Sequence, residues 1–405
     1  MKRSKKSTVL TQGKYNGAAA EEDQQPSPST ADILSRLPCH LIVDILLRLP
    51  LKTLLSCRWV CKTWQNLLSD PQFAQPHLQR SPLRLLLKTL HKKRESRMLH
   101  FFNLQETRIK TGYLDARLKL APNVDIPNFE FSLLGSCNGL LCLRESDSED
   151  PICVRNPMLG EYITLPKAEM GLNCVDAGFG FSHETNQYKV IRLLRRMIPP
   201  SDDDCEAEIY ALGEGAWRSI GKTPFSMGFG SSFNTFVNGA LHWLVVWRPI
   251  PDFIHSFHFG SEQFGVVPAP AEFRSIEKEF NDYMRLGVLG GCLSICDFSN
   301  SDHIDIWIMK NYGVKESWSK DFFINNPIYE RHNLDYYEPI MILNSGEILV
   351  LFNENALVLY SYETEGFDYL DIFVVKSDFH AIAHIPSFVS LKGAAKGKIL
   401  KVCRS

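Results

Sequence analysis

The sequence has no Cys-x-x-Cys pair, no phosphate-cradling glycine loop, no Gly-x-Ser-x-Gly, no His-Glu-x-x-His and no paired-glycine dinucleotide fingerprint. These gaps leave the common motif-bearing hydrolases, nucleotide-binding folds and zinc peptidases without support. Net charge is almost absent as well. A formal charge of -2 over 405 residues gives no global field to draw in nucleic acid or an anionic membrane. The basic runs Lys2 to Lys6 and Lys88 to Arg97 and the acidic stretch Asp202 to Glu208 read as solvated faces or loops. KRSKK fits a weak nuclear localisation signal, though its spacing is not specific. MKRSKKSTVL opens with charge but runs into no apolar h-region, so no secretory signal is expected. The 11 cysteines are therefore expected to be free thiols in a reducing cytoplasmic or nuclear compartment. Cys57 and Cys61, like Cys292 and Cys296, are four apart, but no second half-site completes a zinc set. His255 with His258, and His380 with His384, lack a helical context that would converge them on an ion. No metal and no cofactor are expected.

Apolar residues are plentiful in one place. LPCHLIVDILLRLPLKTLLSCRWVCKTW, from Leu37 to Trp64, has 17 apolar residues among its 28. Two prolines and several charges interrupt it, so it does not read as a membrane span. Leu37-Pro38 suits a helix start. Ile42, Ile45, Leu46 and Leu49 form one helical stripe. Leu49-Pro50 stops that helix, because proline disfavours helical geometry in the residue before it. Leu51, Leu54 and Leu55 make a short second helix. Cys57, Val60, Cys61, Trp64, Leu67 and Leu68 continue at helical spacing as a third, which Ser69-Asp70-Pro71 ends. Three helices in so short a segment fall below the ~40 residues at which a domain usually stands without disulfide, metal or partner. The surplus apolar surface must be covered by another domain or another protein.

The chain changes character around this segment. Residues 1–31 are polar and poor in bulky apolar side chains, a disordered leader; residues 32–76 are the helical domain. From residue 83 to 390, short runs rich in β-branched and aromatic residues alternate with Gly, Pro, Asn, Asp and Ser turns, leaving 391–405 as a tail. CNGLLCL at 137, VNGALHWL at 237, LGGCLSICDF at 289 and NSGEILVLF at 344 repeat a glycine turn followed by a strand. GFGFSHETNQYKVIRLL at 178 fills the widest gap. Each is followed by a second hairpin, as in ICVRNPMLGEYITLP and SFHFGSEQFGVVPAP. A period of about 50 residues with two hairpins per unit fits four-stranded propeller blades, near the kelch spacing. Five units occupy 131–373. The strands near 83–110 and the run HAIAHIPSFVSL would make a sixth that joins both chain ends and closes the ring. Gly139 and Gly239 suit positive-φ turn positions. Trp217, Trp243, Trp307 and Trp318 recur within hairpins and are expected to pack between blades.

The segment from Leu37 to Trp64 resembles the F-box motif, especially the plant version. The match lies in the Leu-Pro start, the Ile-Leu-x-Arg-Leu-Pro centre, the Lys-Thr-Leu-Leu turn and the Val-Cys-Lys-x-Trp close followed by Ser-Asp-Pro-x-Phe. His40 and Cys57 depart slightly from the pattern. The remainder resembles the plant F-box-associated region, carried by GSCNGLLCL, VRNPMLGEYITLP, FGFSHETNQYKVIRL, AEIYALGEGAWRSIG, VNGALHWL and IDIWIMKNYGVKESWSKDF. His183 and His258 stand where that family often has aspartate. The resemblance implies an α domain and a separate β domain: a three-helix F-box, then a six-bladed propeller-like domain. It also implies a substrate receptor of an SCF-type ubiquitin ligase. Such a protein binds a Skp1-type adaptor, through it cullin and RING subunits, and a protein substrate, with no catalysis of its own. Leu37, Pro38, Ile42, Leu46, Leu51, Val60, Cys61 and Trp64 are the expected adaptor contacts, with Ile45 and Leu54 equally suited to the core. Phe225, Phe229, Phe233 and Trp247, in TPFSMGFGSSFN and VVWRPIPDF, are candidate substrate contacts. An adaptor-binding protein without ligase output, or a propeller enzyme with paired carboxylates at the ring centre, are the alternatives.

Overall fold

A computed structural model describes residues 37–89, 99–102, 104, 113–114, 118–120, 131–145, 152–167, 172–196, 205–224, 235–245, 253–275, 283–300, 302–325, 336–372, 379–395 and 403–404. The chain divides into two compact units, one ending at Arg48 and one beginning at Leu49.

The first unit contributes helix α1, Cys39–Leu46, which starts just after Pro38 and buries Leu46. In the second unit, α2 (Leu51–Cys57) begins directly after Pro50 and buries Leu51, Leu54 and Cys57, three positions one turn apart. The expected third stripe is not one helix. Cys57 closes α2, residues 58–60 form a turn, and α3 (Lys62–Leu68) starts after Cys61, which is fully extended at φ -160°. Helical spacing had continued across the turn by coincidence. Ser-Asp-Pro also does more than end α3. The Asp70 carboxylate accepts the Gln72 N–H at 2.8 Å and Pro71 occupies the first turn, so this tripeptide starts a further helix, α4 (Pro71–Arg80). That is the ordinary chemistry of an N-cap followed by proline.

Six sheets follow among the described residues, each built on four antiparallel strands in simple order, and two of them gain a short fifth strand. Blade 1 comprises Phe379–His384, Arg84–Thr89, Leu99–Phe102 and Leu118–Leu120. Blade 2 begins at Phe131–Cys137, blade 3 at Leu172–Ser182, blade 4 at Thr235–Val237, blade 5 at Met284–Leu289 and blade 6 at Tyr337–Ile342. First strands of adjacent blades touch between blades 2 and 3, 4 and 5, 5 and 6, and 6 and 1. The ring closes as the terminal runs predicted: Leu87 pairs with Ala381 and Leu86 with Ile382, joining the last blade strand to the first. Hydrophobic layers fill the spaces between blades. Leu85, Leu87, Phe102 and Phe379 pack with Leu349 and Leu357 between blades 1 and 6. Trp243 belongs to the layer shared with blade 3, and Trp307 and Trp318 to the layer shared by blades 4 and 5.

Two tryptophans repeat one bond. Trp217 Nε1 donates to the Pro166 carbonyl and Trp318 Nε1 to the Pro268 carbonyl, both at 2.7 Å. Each tryptophan stands at the start of a fourth strand and reaches the proline that ends the previous blade, so the same staple holds blade 2 to 3 and blade 4 to 5. Asn138-Gly139 and Asn238-Gly239 both take positive φ, 49° with 80° and 51° with 74°. This is the geometry of tight two-residue hairpin turns. His258 keeps a turn in aspartate's stead: its Nδ1 accepts the Ser261 N–H at 3.2 Å.

The chain past residue 390 is not a free tail over its described part. Ser390 and the Leu391 N–H both donate to the Glu161 carboxylate, at 3.0 and 2.8 Å, opening a short helix Leu391–Ala394. Cys403–Arg404 then adds antiparallel to blade 2 beside Glu161 and Tyr162. A separate two-residue strand, Tyr113–Leu114, adds in parallel to blade 6 at Asp371 and Ile372.

Candidate functional site

The helical surface meets solvent in two places, one in each compact unit. On α1, Pro38 is exposed, Leu37 and Ile42 are half-buried, and Leu46 is buried. Leu41 and Ile45, one turn apart, are the exposed apolar residues there, at 42% and 50%. Among α2–α4 the exposed large apolar residues sit on the turn between α2 and α3, Trp59 at 81% and Val60 at 66%, beside the exposed Cys61. Trp64 is half-buried, while Leu51 and Leu54 are buried within the packing. Leu41, Ile45 and Trp59 were not among the expected contacts. The signal for Trp59 was present but unread: an aromatic in a turn cannot share the stripe of either flanking helix. Charge adds to the pattern. Leu37 to Trp64 carries Arg48, Lys52, Arg58 and Lys62 against Asp44 alone, which suits an acidic partner face.

Arg58 holds the exposed turn in place. Its guanidinium donates to the Met158 carbonyl at 2.5 Å and the Leu159 carbonyl at 2.9 Å, a hundred residues away on the last turn of blade 2. That turn is itself built by Asn156, which is fully buried. The Asn156 side-chain Oδ1 accepts the Met158 and Leu159 N–H groups at 2.8 and 3.1 Å. Its amide donates to the Ser387 and Val389 carbonyls at 3.0 and 2.8 Å. One side chain thus fills its hydrogen-bonding capacity and ties blade 2 to the segment after ring closure. Phe388 of that segment packs edge-on against Phe73 and His77 of α4, at 5.7 and 4.9 Å between centroids. So α2–α4 rest on the propeller through a bidentate arginine and an aromatic cluster. Arg58→Ala is expected to loosen α2–α3 while leaving the blades intact. Hydrogen bonds to a charged group contribute roughly 1.5–3 kcal/mol. Faster amide exchange over residues 51–68, with unchanged protection in blades 3–6, is the expected reading; equal exchange in both proteins would remove Arg58 from this role.

The contact with Arg58 fixes which end of the ring α2–α4 occupy. The 157–160 turn follows the third strand of blade 2, at the end where each first strand finishes. The strand ends that flank 225–234 and 246–252 lie at the other end, where first strands begin. Phe225, Phe229, Phe233 and Trp247 themselves fall outside the described residues.

Titratable groups gather near that second end. Burial pushes the Asp176 carboxyl, on the first strand of blade 3, up to about 7, against the opposing pull of the Ala177 N–H and of Arg144. Burial also raises Glu338, on the first strand of blade 6, which accepts the Tyr336 hydroxyl at 2.5 Å. Paired carboxylates at the axis are what a propeller glycosidase would need. Here each carboxyl is bonded within its own blade, and among the described residues no contact joins the two. No cluster of three or more His, Cys, Asp or Glu side chains that could hold a metal occurs among the described residues.

Residues 85–371 match the family model for the F-box associated beta propeller domain, and residues 34–77 match an F-box-like model. The F-box protein At3g07870 of Arabidopsis thaliana is 31% identical over 395 residues, covering 87% of this chain and 91% of that protein. The F-box protein CPR1 of Arabidopsis thaliana is 26% identical over 387 residues, covering 88% and 89%.

Proposed function

The chain belongs to the F-box proteins that carry an F-box-associated β-propeller, and from that premise we propose that it is the substrate-recognition subunit of an SCF-type ubiquitin ligase. The F-box segment engages a Skp1-type adaptor, the adaptor brings cullin and RING subunits, and the propeller holds the protein to be modified. The chain supplies position, not a nucleophile. It raises the effective concentration of substrate lysines near a ubiquitin-charged E2, a proximity effect. Its working compartment is the cytoplasm, the nucleus or both.

One observation carries this reading: an exposed apolar turn, Trp59-Val60-Cys61, held on the propeller by Arg58 and left uncovered. A stretch this apolar with surplus cations supports an acidic, partly apolar partner. Because α2–α4 take the end of blade 2 where first strands finish, the opposite end is the reading for substrate. Leu37, Pro38, Ile42, Val60, Cys61 and Trp64 keep accessible surface for the adaptor; Leu46 and Leu51 would act by holding the helices in shape.

Changing Leu37 and Pro38 together to alanine is expected to reduce co-purification of a Skp1-type adaptor by about tenfold or more, a loss of roughly 1.4 kcal/mol, with the propeller's thermal transition unchanged. Undiminished recovery would remove these two residues from the contact. Reconstitution with cullin, RING protein and charged E2 then separates a working receptor from an adaptor-binding protein without ligase output.

A further inference from the structure

The seam between blades 1 and 2 holds two polar side chains that the fold leaves unmatched. Arg155, on the third strand of blade 2 (Ile152–Asn156), is 2% exposed, and His384, the last residue of the first strand of blade 1, is 1% exposed. Nε and Nη1 of Arg155 and Nε2 of His384 are sealed from solvent and have no hydrogen-bond partner among the described residues. Arg155 also makes no ion pair there. The groups that act on its charge are the Cys153 thiol and the Tyr162 phenol, not a carboxylate. Buried polar groups are nearly always hydrogen-bonded, and buried charges are paired. An arginine cannot shed its proton to escape the cost.

Strand register brings the two groups to one seam. Directly opposite residues on paired strands project to the same face of a sheet. Ser136 stands opposite Leu141, and Leu141 opposite Arg155, so these three share a face of blade 2. Blade 1 covers that face at Ser136, whose hydroxyl oxygen lies 2.8 Å from His384 Nδ1. Arg155 stands two strands, or roughly 10 Å, further out on the same face. Leu141 between them is fully buried, and Phe101 of blade 1 packs edge-on against the His384 ring. When the Ser136 hydroxyl donates to Nδ1, Nε2 carries the ring proton and becomes a donor. The seam then presents a guanidinium fork and an imidazole N–H, with no acceptor for either among the described residues. A cation with surplus donors and no acceptor is complementary to an oxyanion, and the fork matches two of its oxygens at once. Burial at these atoms limits the occupant to a small free ion.

We propose that the seam between blades 1 and 2 is a binding site for one small oxyanion of the phosphate class, held by the Arg155 guanidinium and the His384 Nε2 proton. The ion joins the strand that closes the ring, Phe379–His384, to the third strand of blade 2. It does so one residue before Asn156, which ties the same strand to the Ser387 and Val389 carbonyls. The site is separate from the adaptor surface and can be tested without adaptor or substrate.

The test melts the full chain in sodium phosphate and in sodium chloride of equal ionic strength, after exhaustive dialysis against chloride. Phosphate is expected to raise the wild-type midpoint by about 2–4 °C, because it binds the folded chain alone. R155M keeps the length of the side chain and removes its charge. In chloride it is expected to melt at or above the wild type, since it replaces a buried cation that lacks an acceptor, and phosphate should leave its midpoint where it is. R155K keeps the charge without the fork and is expected to bind phosphate about tenfold more weakly, which keeps the test decisive should R155M not fold. Wild type soaked in phosphate, desalted and denatured is expected to release phosphate equimolar with the chain. An equal phosphate shift in wild type and R155M would give the ion to the surface and overturn the proposal. So would R155K binding as tightly as the wild type, or the absence of both a shift and released phosphate in the wild type. R155M melting several degrees below the wild type in chloride would overturn it too, because water would then already satisfy the guanidinium.

Discussion

A chain that ends at Ile372 is expected to lose its cooperative fold. The missing piece contains Phe379–His384, the first strand of blade 1, which pairs with Arg84–Thr89 along its whole length. Phe379 and Ala381 of that strand belong to the layer between blades 1 and 6, and Phe388, Val389 and Leu391 beyond it are buried. Burying a large apolar side chain contributes about 1.5–3 kcal/mol. The lost side chains together therefore approach the whole margin of ~5–15 kcal/mol that separates folded from unfolded domains. Two further losses add to this. The Asn156 amide is stranded without the Ser387 and Val389 carbonyls, and a buried donor left unpaired costs about 1–3 kcal/mol. The inner face of blade 1 also becomes an open edge, the liability that closure removes. Among the described residues, a chain that ends at Ala395 gives up only the short pairing of Cys403–Arg404, and it should melt close to the full-length protein. Size exclusion and thermal melting followed by circular dichroism read both. A monomeric shorter chain with an undiminished transition would show that closure does not hold the ring. Leu86→Pro offers a point test. Leu86 lies between Phe101 and Ile382 in the blade, where proline removes a ladder hydrogen bond and is tolerated essentially only on edge strands or at bulges, so a lower melting transition is expected.

The ring itself was readable in the sequence because its signals are local and repeated. Asn138-Gly139 and Asn238-Gly239 mark equivalent turns one blade pair apart, and the runs between them alternate as half-buried strands do. Ring closure was readable too, since leaving two apolar strands at opposite chain ends unpaired is physically costly. What escaped the reading depends on contacts distant in sequence or on a period that misleads. Cys57, Val60, Cys61 and Trp64 keep helical spacing although Arg58 to Val60 form a turn, because periodicity says nothing about where a helix breaks when no proline or glycine marks the break. Arg58 looked like one more surface cation; its partners are carbonyl groups of Met158 and Leu159, and carbonyls leave no trace in sequence. Asn156 carried a hint in its Asn-Pro dipeptide, a turn signal, but not that its amide would reach Ser387 and Val389. Asp70-Pro71 was legible in principle as a cap before a helix and was read only as the end of the one before.

Acidification from pH 7 to pH 5 is expected to destabilise the propeller, and three buried histidines set the direction. Burial holds His384 down to about 3, with Ser136 Oγ at 2.8 Å from its Nδ1 and Phe101 edge-on to the ring. His242 lies at about 4 through burial, against the Thr235 carbonyl, with Tyr312 Oη at 2.6 Å from Nε2. His77 lies at about 4 through burial and then the nearby Arg84 charge. In each case the folded value is below the unfolded value of 6.5. Below pH 6.5 the unfolded chain takes up a proton that the folded chain refuses. The stability these residues contribute is therefore fully present above that value and is lost as pH falls towards about 4. Each pH unit in this window costs about 1.4 kcal/mol per histidine, or roughly 2 kcal/mol each at pH 5. Asp176 acts in the other direction. Its folded value of about 7 exceeds the unfolded 3.8, so the folded chain takes up a proton first and regains roughly 2–3 kcal/mol by pH 5. Glu338, raised by burial, acts with Asp176, and His380, lowered by burial, acts with the three histidines; the histidines dominate, read as a lower urea midpoint at pH 5 than at pH 7. Replacing His384 with glutamine, which keeps a polar group beside Ser136 but cannot titrate, should remove about a third of those three histidines' contribution. Equal midpoints at the two pH values, or a pH dependence untouched by that substitution, would mean the buried histidines do not govern acid stability.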